Sequence, residues 1–323
     1  MLFQQDLVAR DYPLPDFEAL TRQHRIKAFR EDAIYAGIAS IPRRAANLRL
    51  VIDCLYNQIE TFFVYLNDYE SVPDWLDDPK VVVFRSQDYQ DLNATGKVFF
   101  AGVVDKGYFL TLDDDFIYPG DYAARMAGTI ARYDNRVAAC VHGSIFPPDP
   151  AYYYMRSAIY QYQGPLARDR FVCLPGTGSF GVKAGTMDLS LDQFLPQVMV
   201  DLACAILCRR SGVPLVSIAR PNLWMQNTDR EGLYHLFTQE KTHHSHYAKA
   251  VGPWDFSEYA PALNQIAQAV AAKGGSVLDD PLADQDAFLA ARTGTLPQNW
   301  TDTSQHYVRV SEFLRAQMSG FRV

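Results

Sequence analysis

The stretch Tyr108-Phe-Leu-Thr-Leu-Asp-Asp-Asp-Phe-Ile-Tyr-Pro-Gly-Asp121 decides how the chain is read. An apolar run, Tyr108 to Leu112, stops on three consecutive carboxylates, Asp113, Asp114 and Asp115; a short apolar step follows, and Pro119-Gly120 begins a turn. A buried strand that ends in acidic residues offers oxygen ligands to a hard divalent cation. Three adjacent carboxylates also raise one another's pKa unless a cation or hydrogen-bond donors neutralise them. The competing interpretation is a strand running into a solvated acidic turn.

The residues before this stretch place it fourth in a series. Ile34-Tyr-Ala-Gly-Ile-Ala39 predicts a short apolar strand. Pro42 is a favoured first helical residue, and Leu48, Val51, Ile52, Leu55 and Ile59 recur at helical spacing. Phe62–Leu66 and Val81–Phe84 predict two more strands, the first ending in Asn67-Asp68 and the second leading to Gln87-Asp88. Asp91 to Lys106 reads as partly helical, interrupted by Gly96. Strand–helix–strand–strand–helix–strand with near-continuous apolar strands implies an α/β fold, a mostly parallel sheet with helices on both faces. Ligands of such sheets bind outside the carboxyl ends of the strands. Arg43, Arg44, Asp68, Gln87, Asp88 and Asp113–Asp115 all fall just past such ends.

Beyond the acidic stretch, residues 121–133 predict a helix with Tyr122, Met126 and Ile130 on one face, and residues 137–142 a strand. Residues 152–162 are Tyr-rich, and Pro175-Gly-Thr-Gly-Ser-Phe-Gly181 is a glycine-punctuated loop. A helix is predicted over 194–211, with Leu195, Val198, Met199, Leu202 and Ile206 on one face, and a strand over 214–219. Residues 238–247 hold His243, His244 and His246, and from about 255 the chain becomes Ala- and Gln-rich.

The 323 residues are enough for one large domain or two ordinary ones. Thirty Lys and Arg against 37 Asp and Glu give a net charge of −7, which with no basic run argues against nucleic acid. No apolar stretch is long enough for a transmembrane helix, and the first residues lack the pattern of a signal peptide. Five scattered cysteines with no CxxC pair suit small core residues in a reducing compartment, so a cytoplasmic location is expected.

A strand–helix–strand unit with Asp68 after its second strand, then a strand ending in Asp113-Asp114-Asp115 and followed by Pro119-Gly120-Asp121, resembles a GT-A glycosyltransferase close to family 2. The resemblance covers roughly residues 33–250. It implies an N-terminal arm or helix (1–32), a catalytic domain (33–254) with a nucleotide-binding half (33–120) and an acceptor half (121–254), and a helical C-terminal extension (255–323). It implies that Asp113 and Asp115 hold Mn²⁺ or Mg²⁺ and the donor diphosphate, with Asp115 the first choice as metal ligand. On an extended chain the two would share one side while Asp114 points away.

The same resemblance gives nucleotide contacts to Arg43, Asp68, Gln87, Asp88, Lys97, Asp113 and Asp114, with Arg44 beside them at a helix N-terminus. Each also reads as a solvated loop residue. The base that takes the acceptor proton is assigned to Asp201, a lone acid in an apolar helical segment, with Asp188 and Asp192 as rivals. Gly176-Thr177-Gly178-Ser179 either lines the donor sugar or forms a plain turn. His244, among three late histidines, is the candidate third metal ligand. The donor implied is a nucleotide-diphosphate sugar, a UDP-sugar first, and the acceptor a glycan or lipid-linked molecule in bacterial surface polysaccharide assembly, with peripheral membrane association. The Gln-X-X-Arg-Trp motif of processive membrane synthases is absent. A nucleotidyltransferase would need a Gly-rich basic loop where Ala39-Ser-Ile-Pro-Arg-Arg44 stands. A dehalogenase-like phosphatase would carry its Asp-X-Asp on the first strand. A non-catalytic carbohydrate-binding module is the remaining alternative.

Overall fold

A computed structural model of the chain describes residues 13–150, 153, 155–195, 199–228, 254 and 256–273. All of them lie in one compact unit. The elements are α1 (Phe17–Gln23), β1 (Ile34–Ser40), α2 (Ala45–Leu55), β2 (Thr61–Leu66), β3 (Val81–Arg85), β4 (Tyr108–Asp113), β5 (Phe116–Ile117), α3 (Tyr122–Arg132), β6 (Ala138–Cys140), β7 (Gly143–Ile145), β8 (Ala158–Tyr160), β9 (Arg170–Val172), β10 (Leu174–Pro175), β11 (Gly181–Lys183), α4 (Val200–Arg210), β12 (Leu215–Ser217), β13 (Gln226–Asn227) and α5 (Ala260–Ala272).

Eight strands form one sheet in the order β3-β2-β1-β4-β11-β6-β12-β9. β11 is antiparallel to β4 and β6, and β9 to β12, while the remaining neighbours pair in parallel. The fold is therefore mixed α/β with a large, mostly parallel sheet. Period-two alternation explains its two faces. Ala36 and Ile38 of β1 and Phe62, Val64 and Leu66 of β2 face Leu48, Val51, Ile52 and Leu55 of α2 and Tyr122, Met126 and Ile130 of α3. The opposite face carries Phe63 and Tyr65, and there an aromatic cluster covers the sheet: Phe100 stacks on Phe63 at 4.8 Å, and Phe99 packs on Tyr65 at 4.9 Å and Phe84 at 4.8 Å. α5 packs Ile266 and Val270 against Tyr133, Val137, Phe171 and Val216.

The helical reading of residues 91–106 holds in part, as the 3₁₀ turns Asn93–Val98 and Ala101–Val103, but Gly96 lies inside the first turn rather than interrupting it. The reason is close packing on the sheet. A Cβ on Gly37 would lie 1.8 Å from the Lys97 carbonyl oxygen, and one on Gly96 would lie 2.6 Å from the Tyr65 ring. Two glycines, one on β1 and one on the turn, let the backbones nearly touch. The helix predicted from residue 194 starts at Val200, after a 3₁₀ turn Leu191–Phe194, and Leu195 is extended. Pro196 disfavours helical backbone in the residue before it, so Leu195 cannot begin the helix.

Candidate active site

Between β1 and β4 the strand order reverses, because β2 and β3 follow β1 to one side while β4 lies on the other. Ligands of open α/β sheets bind outside the carboxyl ends at such a point. Parallel register sets Ala39 beside Asp113. The Pro42–Arg44 turn that leaves β1 thus emerges next to the acidic triplet. Arg44 caps α2 and donates from Nη1 to Asp114 Oδ1 at 2.8 Å, with Asp115 Oδ2 3.2 Å away. On the other side the buried Lys97 ammonium forms an ion pair with Asp113.

The strand ends at Asp113, so the alternation expected of the three carboxylates does not continue past it. Asp114 and Asp115 both turn toward Arg44, and Asp114 is buried. Burial is the main cause of a raised Asp114 pKa, with Ser40 and Arg44 opposing it. Burial and then the Asp113 carboxylate push Asp115 up to about 7, against the pull of Arg44. Burial pulls Lys97 down, but Asp113, Asp201 and Asp115 outweigh it and keep the ammonium above its ordinary range.

β11 runs antiparallel to β4, so its entry rather than its exit arrives at the acidic edge. The turn Thr177–Ser179 lies there. A Cβ on Gly178 would fall 2.4 Å from Asp113 Oδ2 and 2.5 Å from the Phe116 ring, so only glycine fits. The Tyr118 hydroxyl accepts from the Asp113 backbone N–H at 2.9 Å and donates to the Gly178 carbonyl at 2.6 Å. Thr111 donates from Oγ1 to the Thr177 carbonyl at 2.5 Å.

Asp201 lies in the first turn of α4. Its Oδ1 accepts two hydrogen bonds from Thr177, from the backbone N–H at 2.9 Å and from Oγ1 at 2.5 Å. Burial raises its pKa; the Thr177 bonds and Lys97 oppose this, and Asp113 reinforces it. Asp201 and Asp113 therefore share one electrostatic site although 88 residues separate them in sequence.

The other expected residues occupy neighbouring strand ends. Asp68 is exposed in left-handed backbone (φ 56°) after β2, its N–H donating to Ser86 Oγ at 3.0 Å. Gln87 donates to the Tyr69 carbonyl at 2.5 Å, and the Tyr69 hydroxyl lies 3.1 Å from Ser40 Oγ beside the triplet. Asp88 accepts twice from Arg85 at the surface. Arg43 is exposed in the turn after β1. Asp188 accepts from Ser190, and Asp192 sits in the first turn of the 3₁₀ segment. His243, His244 and His246 lie outside the described residues. Thr111 and Tyr118 escape sequence reasoning, and Thr177 enters it only within the Gly176–Ser179 loop, without its bonds to Asp201. Their role depends on which loop the antiparallel β11 delivers, and no local pattern announces that.

Among the described residues, no three His, Cys, Asp or Glu side chains converge tightly enough to hold a metal by themselves. The charge inventory nevertheless suits a divalent cation. Four carboxylates (Asp113, Asp114, Asp115, Asp201) face two protein cations (Lys97, Arg44), which leaves two uncompensated negative charges when all four are ionised. Burial and then the Asp113 carboxylate disfavour the ionised form of Asp115, and a cation beside it would favour that form. One or two carboxylates with substrate phosphates completing the shell is the usual environment of Mg²⁺. Asp113 and Asp115 fit that part.

No protein-family model matches the chain, and no curated protein matches it in sequence. No helix among the described residues is long and apolar enough to cross a membrane.

Proposed function

We propose that the chain is a metal-dependent, inverting glycosyltransferase of GT-A type. It would move a sugar from a nucleotide-diphosphate donor, a UDP-sugar first, to a glycan or lipid-linked acceptor. The observation that carries this proposal is that one turn at the strand-order reversal binds Asp201 through Thr177 and lies against Asp113, the partner of Lys97, through Gly178. A solvated acidic turn would not bury a lysine on its first carboxylate or bring a fourth carboxylate from a distant helix.

In this mechanism Asp113 and Asp115 would hold the cation, which would supply Lewis-acid neutralisation of the diphosphate. Asp201 accepts the proton of the acceptor hydroxyl as its oxygen bonds to the anomeric carbon. The bond from that carbon to the diphosphate oxygen breaks, and its electron pair leaves with the nucleoside diphosphate. Lys97 and Arg44 pair with the carboxylates and hold them in place, and the ends of β2 and β3, with Asp68 and Gln87, border the nucleotide. Polysaccharide assembly is the setting proposed for the product.

The test is Asp201→Asn. Transfer from nucleotide sugars should be abolished, because an amide cannot take the proton, while nucleotide binding stays at the wild-type level. Turnover by the Asn variant at the wild-type rate would place the base elsewhere.

A further inference from the structure

Asp201 presents its two oxygens unequally. Oδ1 takes both Thr177 bonds, from the backbone N–H at 2.9 Å and from the side-chain hydroxyl at 2.5 Å. Oδ2 takes no hydrogen bond among the described residues. Thr177 is itself 4% exposed and held from the far side, where Thr111 Oγ1 grips its carbonyl at 2.5 Å. Thr111 and Asp113 are two apart on β4 and so share one side of the strand. The next residue of the turn, Gly178, touches Asp113, and its carbonyl is fixed by Tyr118. A short chain of hydrogen bonds thus runs from Thr111 of β4 through Thr177 to Asp201, and the adjacent Gly178 lies against Asp113.

We infer that Thr177 is the positioning residue of this site: it turns Asp201 so that only Oδ2 can receive a proton, and it fixes the distance from that oxygen to the metal-binding edge. The inference rests on the proposed transferase chemistry and adds a residue to it. One hydroxyl does three things. It occupies Oδ1, it locks the carboxylate plane in combination with the N–H, and it ties α4 to a turn whose carbonyl is held by Thr111 of β4. The N–H bond alone would leave the carboxylate able to rotate about it, whereas two donors from one residue define the plane. Charge-assisted hydrogen bonds of this kind are shorter and stronger than neutral ones, and a misplaced reacting group costs rate out of proportion to the displacement.

Thr177→Val removes the hydroxyl while keeping the backbone N–H bond and nearly the same volume; Thr177→Ser restores the hydroxyl. Both are compared with wild type for melting temperature, for binding of UDP with Mn²⁺, and for steady-state transfer from a UDP-sugar. The expected result is a Val variant that folds and binds UDP as wild type does, with kcat lower by about 10- to 100-fold, the range of one hydrogen bond to a charged group. The Ser variant should recover most of the rate. Overturning results are a Val variant within about threefold of wild type in kcat, a parallel loss of UDP binding and rate, or no recovery with Ser. A wild-type protein that neither binds UDP nor transfers sugar would refute the transferase chemistry itself, and Thr177's role with it; that outcome is distinct because it appears before any substitution. If Thr177→Val does not fold, Thr111→Val tests the same chain one step back, where a smaller fall in kcat with unchanged UDP binding is expected and an unchanged kcat overturns the inference.

Discussion

Replacing Lys97 by Met removes one of the two cations that face four carboxylates, and the structure sets the size of the effect. The Lys97 side chain is 4% exposed and Asp113 is 34% exposed. Removing one partner of a fully buried ion pair costs about 3 to 5 kcal/mol, because the other charge is left unpaired. Asp113 can regain part of its hydration, so the cost here is about 2 to 3 kcal/mol. For a domain of this size that corresponds to a fall in melting temperature of roughly 5 to 10 °C. With all four carboxylates ionised, the substitution raises the charge excess of the cluster from two negative charges to three. A divalent cation should then stabilise Lys97→Met by more than it stabilises wild type, since binding to the folded state raises stability by mass action. The assay is thermal unfolding of both proteins in chelator and in a Mn²⁺ series. If the variant melts within about 1 °C of wild type in chelator, the buried pair does not hold the site together. If Mn²⁺ shifts both proteins equally, the charge inventory is wrong.

Two further outcomes follow from the same geometry. Gly178→Ala places a methyl group against Asp113 Oδ2 and the Phe116 ring; overpacking of this kind costs about 1 to 3 kcal/mol, and metal-dependent nucleotide affinity, measured by calorimetry, should fall by about tenfold or more. Because Asp201 must be ionised to accept a proton and burial raises its pKa, kcat should fall as the pH drops through a value above the ordinary carboxylate pKa of about 3.9; an acid limb at that ordinary value, in a pH–rate profile, would remove Asp201 as the base.

The parallel half of the sheet was legible because its strands are near-continuous apolar runs that end in polar residues. Ile34–Ser40, Thr61–Leu66, Val81–Arg85 and Tyr108–Asp113 stand within a residue of where the sequence puts them. The α2 face (Leu48, Val51, Ile52, Leu55) is buried as its spacing predicts. The acidic edge with Arg44 beside it followed from strand order alone, as did the place of Asp68 and Gln87 at neighbouring strand ends. What escaped were features set by long-range contact. Nothing local shows that Gly37 and Gly96 exist to let the Lys97 turn lie on β1, or that β11 runs backwards and carries Thr177 to Asp201. The alternation rule for Asp113–Asp115 failed because it holds only inside a strand, and this strand stops at Asp113. The early helix start failed at Leu195, where apolar spacing pointed to helix but Pro196 favours extended backbone in the residue before it.

The central claim is that the carboxyl edge of β4 is a metal–diphosphate site. Calorimetric titration of UDP into the metal-free protein, and again with Mn²⁺ present, tests it most directly. Binding that is weak without metal, strengthened at least tenfold by Mn²⁺, and lost in Asp115→Asn would agree with the account. Absence of binding by UDP or any other nucleoside diphosphate in both conditions, or affinity that neither Mn²⁺ nor Asp115→Asn alters, would contradict it.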